Sequence, residues 1–209
     1  EAGKVAALLK SQVPSLKRLV TVEELMATST EVTPPTLHSH DIAFLQYTSG
    51  STTHPRGVVV THENLMFNER MVYLGGENRE GDMSVSWLPV FHDMGLIASM
   101  LQAMYAGMGM ALLSPVHFIK QPVRWLQAIT EYRASYSGAP NFAYDLCTDK
   151  VTEEQKQALD LSTWGLAYSS SEPVRAKTID RFSAAFAECG FERRAFYPAY
   201  GLAEGTVFV

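Results

Sequence analysis

Short apolar runs alternate with longer amphipathic segments along most of the chain. The apolar runs predict strands at 83–88, 110–113, 134–137, 165–168 and near 196–209. The amphipathic or apolar longer segments predict helices at 62–74, 94–106, 122–133, 141–146, 152–159 and 173–189. Strands that alternate with helices of this length are typical of parallel βαβ units. The pattern therefore predicts an α/β fold, with a largely parallel sheet flanked by helices.

The start of the chain follows a different pattern. Residues 1–20 begin as a short amphipathic helix and end in a predicted strand, and 22–26 adds a helical turn. The stretch 27–39 is rich in Thr, Ser and Pro and has no periodicity, so we predict a connector there.

The stretch from Asp41 to His62 combines two predicted strands with a loop of small residues. IAFLQY predicts a buried strand, and the β-branched run GVVVTH predicts a second one. The loop between them supplies the candidate phosphate-binding residues Thr48, Ser49, Gly50, Ser51, Thr52 and Thr53. Backbone N–H groups and hydroxyls in such a loop can converge on anionic oxygens, and Arg56 adds a cation. We interpret the stretch as a hairpin that grips phosphate.

A flexible surface turn is the alternative interpretation of this loop, because Ser, Thr and Gly are common in such turns. The apolar strand on each side favours the binding interpretation, since a simple linker does not need one. A Walker loop is excluded because no Gly-Lys-Ser/Thr follows Gly50 at the required spacing.

Further candidate residues follow other predicted strands, in the loops LPVFHDMG, SGAPNFAY, AYSSSEP and AYGLAEG. Loops at the carboxyl ends of parallel strands meet at one edge of the sheet, so these can form one pocket. Taken singly, each residue has a simpler interpretation: His92 as a packed or capping residue, Asp93 as a helix cap, Tyr200 as a core tyrosine, and Glu204 as a solvated carboxylate.

Composition and charge exclude several classes of partner. The 209 residues are 46% hydrophobic and 19% charged, with a formal charge of −5 and a pI near 5.7. This charge does not fit a general binder of nucleic acid or anionic membranes. No apolar run approaches 18 residues, so we expect no stable membrane insertion. Cys147 and Cys189 have no CxxC pattern, and we expect two buried thiols and a cytoplasmic protein.

The loops together resemble the motifs of the adenylate-forming superfamily, which includes acyl-CoA synthetases, fatty acyl-AMP ligases and peptide-synthetase adenylation domains. The order of YTSGSTT, LPVFHDMG, SSSEP and YGLAE is the order of that family's phosphate, histidine, adenine and Tyr-Gly-x-Thr-Glu motifs. The likeness spans nearly the whole chain from Asp41. The chain departs from the usual motifs at Thr53 in place of Gly, Arg56 in place of Lys, and Ala203 in place of Thr.

The resemblance implies a role for each candidate residue, with ATP and Mg²⁺ as cofactors. It implies that His92, Arg56 and Glu204 are catalytic, that His92 helps to place the carboxylate, and that Thr48 and Glu204 hold Mg²⁺. It implies that loop 48–53 contacts the phosphates and that further nucleotide contacts come from Ser170, Ser171, Glu172, Pro173, Tyr200, Gly201 and Leu202. It implies a substrate pocket formed by His92, Gly138, Pro140, Asn141 and Tyr144.

The segments HDMGL, GAPNFAY and YGLAE resemble the fatty acyl-AMP ligase branch most. That likeness implies attack of a fatty acid carboxylate on ATP, giving acyl-AMP and pyrophosphate, and transfer of the acyl group to the phosphopantetheine arm of an acyl carrier protein. The alternatives are an acyl-CoA synthetase and a nucleotide-binding fragment without turnover. Apolar residues at 87–113 and 138–146 fit an acyl tunnel or, more simply, core packing.

Both ends of the chain suggest an excerpt from a longer polypeptide, because it begins without Met and stops within a predicted strand. The resemblance implies that residues 1–209 form the central part of an adenylation domain without its C-terminal lid. Since that family draws a lysine and a ribose-binding aspartate from beyond this point, we expect the 209 residues to be inactive alone.

Overall fold

The computed structural model describes residues 2–27, 33–48 and 56–209. They form two compact units, Glu1–Leu37 and His38–Val209. The candidate phosphate-binding residues Ser49, Gly50, Ser51, Thr52 and Thr53 lie outside the described residues, as does part of the predicted connector at 27–39.

The first unit contains two helices, α1 (Ala2–Gln12) and α2 (Val22–Met26). A capping box starts α2: Glu24 donates its N–H to Thr21 Oγ1 at 3.2 Å, and Thr21 donates its N–H to Glu24 Oε2 at 2.9 Å. Both helices were expected. The predicted strand before α2 is wrong, because residues 16–20 have no regular structure.

The second unit begins with the predicted hairpin, β1 (Ile42–Thr48) paired antiparallel with β2 (Arg56–Thr61). The predicted burial of β1 is wrong, since within this strand Gln46 alone is buried and Tyr47 is 63% exposed. The physical reason is that the hairpin forms a separate two-stranded sheet and does not enter the larger one.

The larger sheet confirms the α/β prediction. Its five parallel strands lie in the order β4-β3-β5-β6-β7. They are β3 (Met83–Ser86), β4 (Gly109–Leu112), β5 (Tyr136–Gly138), β6 (Leu166–Ser169) and β7 (Phe196–Pro198). The short turn Ala203–Gly205 follows β7, in the stretch predicted as strand and loop.

The helices that connect these strands follow the predicted order. They are α3 (His62–Gly75), α4 (Asp93–Gly95), α5 (Gln102–Ala106), α6 (Pro115–Lys120), α7 (Val123–Tyr132), α8 (Asn141–Lys150), α9 (Glu153–Lys156) and α10 (Ala176–Ala185). A π-helical segment, Leu96–Leu101, joins α4 to α5, so the predicted helix at 94–106 is continuous but changes its winding. Helix α6 was not predicted.

The predicted ends of α3 are confirmed, and the predicted start of α10 is wrong. Thr61 caps α3 through a capping box with Asn64, and Gly76 is its C-cap. Helix α10 begins at Ala176 and not at Pro173. Hydrogen bonds from α8 hold the segment before Ala176 in a loop, which overrides the local preference of proline for a first helical turn.

The core lies around the sheet and is rich in aromatic side chains. Trp87 stacks on Phe118 with ring centroids 3.9 Å apart, and Trp125 packs edge-on against both rings. The Trp125 indole N–H donates to Ser137 Oγ at 2.8 Å, so this buried polar group is satisfied. Both cysteines are buried, as expected. None of the helices in the described ranges is long and apolar enough to cross a membrane.

Candidate functional site

The carboxyl edge of the sheet brings two predicted nucleotide loops together. The loop after β6 and the loop after β7 line one groove of about 560 Å³. Its lining includes Ser170, Ser171, Glu172, Pro173, Tyr200 and Gly201. Tyr200 is 68% exposed, so its ring can offer a face to a planar base. Leu202 follows directly and is half-buried.

The hairpin places two other predicted residues opposite each other. Thr48 ends β1, Arg56 starts β2, and the two are paired across the strands. Arg56 is exposed. The hairpin is joined to the His92 loop by Gln46, whose Nε2 donates to the Phe91 carbonyl oxygen at 3.2 Å. Sequence reasoning missed this role for Gln46.

His92 is the N-cap of α4, and its side chain remains about half exposed. Its Nδ1 lies 2.8 Å from Asp93 Oδ1. This hydrogen bond raises the pKa of His92, with burial working against it and the charge of Asp93 adding to it. Burial acts to raise the pKa of Asp93, but the His92 hydrogen bond and charge, together with the Met94 N–H, hold that pKa below its usual value.

This pair leaves His92 Nε2 free to donate a hydrogen bond when the ring is protonated. The cap of α4 is His92 and not Asp93, which is the first residue of the helix; Asp93 Oδ1 instead accepts from the N–H of the next residue, Met94, at 2.6 Å. The geometry fits a protonated His92 as a hydrogen-bond donor to an anion.

Glu204 lies in the turn after β7, and its carboxylate is exposed. Asn68 of α3 fixes the segment that follows this turn. Its Nδ2 donates to the carbonyl oxygens of Gly205 at 3.0 Å and Phe208 at 2.8 Å, and its Oδ1 accepts from the Phe208 N–H at 3.1 Å. Asn68 is buried and is therefore a positioning residue for Glu204 that the sequence did not reveal.

The predicted substrate residue Asn141 has a different place in the structure. It is fully buried, its Nδ2 donates to the Pro173 carbonyl oxygen at 3.0 Å, and its Oδ1 accepts from the Arg175 N–H at 2.9 Å. A second contact runs in the opposite direction: Phe142, in the first turn of α8, donates its N–H to Glu172 Oε1 at 3.1 Å. We call Asn141 and Glu172 the loop clamp, because together they tie the loop after β6 to α8.

Two other predicted pocket residues belong to the core. Tyr144 is fully buried among aromatic rings, and its hydroxyl donates to the Tyr168 carbonyl oxygen at 2.8 Å. Gly138 lies so close to Tyr168 that an added Cβ would come within 2.3 Å of Tyr168 Cγ. We therefore leave both out of the proposed substrate pocket. Pro140 is half-buried at the start of α8.

We call the groove formed by the loops after β6 and β7 the nucleotide groove, because it holds the predicted nucleotide-binding residues. An apolar pocket of about 60 Å³ adjoins it. It lies under the end of α3, and its walls include Val72, Met94, Ala98, Tyr136 and Tyr168. Ser170, Ala199 and Tyr200 line both spaces, so the two adjoin each other. Of the apolar stretches at 87–113 and 138–146, only Met94 and Ala98 reach this pocket. Most of the rest packs in the core, as the simpler interpretation held.

Hydrogen bonds fix the wall of this pocket. Tyr136 donates its hydroxyl to the Ala98 carbonyl oxygen at 2.8 Å, and the hydroxyl oxygens of Tyr168 and Ser99 are 2.8 Å apart. Ala98 and Ser99 lie in the π-helical segment, whose wider turn brings these groups to the sheet. Burial raises the pKa of Tyr168 to about 12, so its phenol remains a neutral hydrogen-bonding group at physiological pH.

A metal site made by protein side chains alone is absent from the described ranges, where no three His, Cys, Asp or Glu side chains cluster suitably. Mg²⁺ commonly binds through one or two carboxylates together with substrate phosphates. Glu204 and the Thr48 hydroxyl have the oxygen chemistry for that arrangement.

Comparison with known proteins identifies the family. The family model for AMP-binding enzymes matches residues 2–209. The chain belongs to the AMP-binding enzymes. Three relatives of this AMP-binding chain indicate the branch to which it is most similar.

The first is the medium-chain-fatty-acid–[acyl-carrier-protein] ligase TtuA of Teredinibacter turnerae, with 46% identity over 84% of this chain and 27% of TtuA. The second is the ligase JamA of Moorena producens, of the same description, with 41% identity over 96% of this chain and 34% of JamA. The third is the crystal structure of a fatty acyl-adenylate ligase from L. pneumophila with acyl adenylate and pyrophosphate.

That structure superposes with a TM-score of 0.81 at 48% identity, over 85% of this chain and 31% of the other. The AMP-binding chain therefore spans about a third of the length of these relatives.

Loss of the loop clamp should weaken nucleotide binding in the full-length AMP-binding enzyme. We expect Asn141→Ala to raise the KM for ATP about tenfold with a smaller change in kcat, because two hydrogen bonds that hold the loop after β6 are lost. Steady-state kinetics at varied ATP would measure this. The matched control is Gln127→Ala, which removes an exposed amide on α7. Lower thermal stability with an unchanged KM for ATP would show that Asn141 has only a structural role.

Proposed function

We propose that the full-length protein activates a fatty acid by adenylation and passes it to an acyl carrier protein. Residues 1–209 would form part of its AMP-binding domain, with a lid domain elsewhere in the polypeptide. The observation that carries the proposal is that the nucleotide groove and the apolar pocket adjoin and share the lining residues Ser170, Ala199 and Tyr200. A mixed anhydride of AMP and a fatty acid requires adjoining sites of these two kinds.

The carboxylate would lie where the groove meets the pocket. It attacks the α-phosphate of ATP, a bond forms between its oxygen and phosphorus, and pyrophosphate leaves with the electrons of the broken P–O bond. His92, with its raised pKa, can donate a hydrogen bond to the carboxylate and position it. Arg56, which pairs with Thr48 in the hairpin, would offset charge on the phosphates.

Mg²⁺ would be held by Glu204, the Thr48 hydroxyl and the phosphate oxygens, where it neutralises charge. Two amides preserve this arrangement. Gln46 ties the hairpin to the His92 loop, and Asn68 ties the segment after Glu204 to α3. Positioning of this kind accounts for much of the rate in phosphoryl and nucleotidyl transfer. The two buried free thiols are compatible with the cytoplasm, which we propose as its location.

The decisive test is pyrophosphate release by the full-length protein with ATP, Mg²⁺ and fatty acids of graded length. We expect release that depends on the acid, and acyl-AMP as its second product. ATP binding without release at any chain length would favour the alternative of a nucleotide-binding protein without turnover.

The acceptor is tested separately. We expect the purified enzyme to load holo-carrier protein at least tenfold faster than it forms acyl-CoA, because TtuA and JamA, to which the chain is similar, are named as carrier-protein ligases. The measurement follows acyl transfer by mass spectrometry with each acceptor at equal concentration. Apo-carrier protein, which lacks the thiol, is the control. Faster formation of acyl-CoA would place the protein with acyl-CoA synthetases, while its adenylation chemistry would stand.

A further inference from the structure

The hydroxyl group of Ser99 lies at the meeting point of three elements. Ser99 belongs to the π-helical segment Leu96–Leu101 and is fully buried. Its Oγ donates to the Met94 carbonyl oxygen at 3.0 Å. Because a hydroxyl has one proton, Tyr168 of β6 is then the donor in the 2.8 Å contact between the two hydroxyl oxygens. Ser86 Oγ, from β3, donates to the same Ser99 oxygen at 3.3 Å. The hydroxyl of Ser99 therefore uses its whole hydrogen-bonding capacity.

The contact between Ser99 and Met94 depends on the π-helical winding. In an α-helix, a serine hydroxyl that bonds back to the main chain reaches the carbonyl three or four residues earlier. Ser99 reaches the carbonyl five residues earlier, which is the spacing of the backbone hydrogen bonds in a π-helix. This side chain therefore stabilises the wider turn. Single π-helical turns are frequent at functional sites.

Met94, which Ser99 holds, lies at the boundary between the apolar pocket and the nucleotide groove. It lines the pocket, and its Sδ accepts a hydrogen bond from Ser171 Oγ at 3.0 Å. Ser171 lines the groove and has a φ of 70°, an uncommon conformation for a residue other than glycine. Met94 also belongs to α4, the helix that His92 caps. The position of Met94 therefore affects the place where the acid and the nucleotide would meet.

Ala98 continues the same wall of the pocket. It lines the pocket, and its carbonyl oxygen accepts the hydrogen bond from the Tyr136 hydroxyl. Tyr136 and Tyr168 form the facing wall on the sheet, with ring centroids 5.2 Å apart. Because Ser99 is bonded to Tyr168, its hydroxyl joins the helical wall of the pocket to the sheet wall.

We propose that Ser99 is a positioning residue for the acyl chain: it fixes Met94 and Ala98 against β6 and so sets the shape of the apolar pocket, without touching the substrate. This inference rests on the proposed adenylation function. Removal of the hydroxyl takes away the hydrogen bond of the Tyr168 hydroxyl and one at the Met94 carbonyl, which weakens the π-helical winding. The helical wall then moves, and the pocket no longer fits the chain.

The test compares pyrophosphate release by the full-length parent and Ser99→Ala with fatty acids of graded length. We expect the KM for the preferred acid, the one with the highest kcat/KM, to rise about tenfold, because the pocket wall is no longer fixed. The advantage of that acid in kcat/KM over the shortest acid that is a substrate should fall at least fivefold. The KM for ATP should change twofold or less, because the loop clamp still holds the loop after β6.

Ser183→Ala is the matched control. Ser183 is a buried residue of α10, and its Oγ has no hydrogen-bond partner among the described residues. Its loss should leave both KM values and the preference for chain length unchanged. Equal changes in the two variants would overturn the inference. So would a Ser99→Ala variant that has lower thermal stability but keeps the parent's KM for the acid and its preference for chain length.

Tyr168→Phe keeps the test decisive even where Ser99→Ala does not fold. It retains the ring that lines the pocket and removes the hydroxyl bonded to Ser99, so it should raise the KM for the preferred acid about threefold. In the double variant the two effects should be less than multiplicative, because both substitutions remove the same hydrogen bond. An unchanged KM in Tyr168→Phe, or fully multiplicative effects, would overturn the inference and leave the proposed function standing. A parent that releases no pyrophosphate with any acid would overturn the proposed function, and this inference with it.

Discussion

Replacing Glu204 with glutamine should lower fatty-acid-dependent pyrophosphate release by about a hundredfold or more in the full-length protein. The substitution keeps the size of the side chain and removes its negative charge, which we assign to Mg²⁺ on the phosphates. Loss of one preorganised charge contact at the reacting centre typically costs about 3 kcal/mol, which corresponds to this factor. Because Glu204 is exposed, the variant should fold as stably as the parent.

Two comparisons make the Glu204 result specific. Glu131→Gln removes an exposed carboxylate from α7 and should leave the rate unchanged. Asn68→Ala keeps the carboxylate but releases the segment behind it, so it should raise the Mg²⁺ concentration needed for half-maximal rate. Unchanged release in Glu204→Gln would mean that Glu204 is only a loop carboxylate.

The second large effect concerns stability, and it arises from a buried carboxyl group in α3. Glu69 is 2% exposed, its Oε1 has no hydrogen-bond partner among the described residues, and burial raises its pKa to about 8. The folded protein therefore holds a proton that the unfolded chain releases near pH 4.5. Since the folded state binds more protons, the free energy of unfolding falls as pH rises from about 4.5 to about 8, and it is constant above that range.

Glu69→Gln should remove this pH dependence. We expect the variant to gain roughly 2 to 4 kcal/mol in free energy of unfolding at pH 8 and little at pH 4.5, because the amide needs no proton to remain neutral. Urea unfolding of parent and variant at pH 5, 6, 7 and 8 measures the difference. Glu63→Gln, exposed in the first turn of the same helix, is the control. A difference between parent and variant that stays the same at all four pH values would contradict the assignment.

The sequence predicted most of the elements because their patterns are local. Strand runs, amphipathic helices and the Thr61 cap are all defined within a few residues, and the structure contains them. The loops after β6 and β7 line one groove. This could be predicted because loops at the carboxyl ends of parallel strands gather at one edge of the sheet. The part of the site that rests on such rules could be predicted.

The residues that hold the site together could not be predicted, because each acts across a long stretch of chain. The hydrogen bonds of Gln46, Asn68 and Asn141 reach partners that are 45, 137 and 32 residues away, respectively. A single amide in a strand or helix has no distinguishing pattern. Only the fold shows that Asn141 is fully buried and holds the loop after β6.

Two wrong predictions, the burial of β1 and the start of α10 at Pro173, have a similar physical origin. The apolar composition of β1 suggests burial, but burial depends on which surfaces meet, and this strand belongs to a separate small sheet. Pro173 has the local preference of a first helical residue. Its carbonyl is instead held by Asn141, and α10 starts after that contact.

Helix α3 sets a limit on changes of chain length in this protein. It begins directly after β2, it contacts the segment behind Glu204 through Asn68, and it ends at Gly75, which lines the apolar pocket. One inserted residue between Thr61 and Asn68 would turn the rest of the helix by about 100° and shift it by about 1.5 Å. The hairpin, the Glu204 turn and the apolar pocket would then lose their alignment together. We therefore expect this helix to tolerate many substitutions at its exposed positions. We expect it to tolerate no insertion or deletion of a single residue.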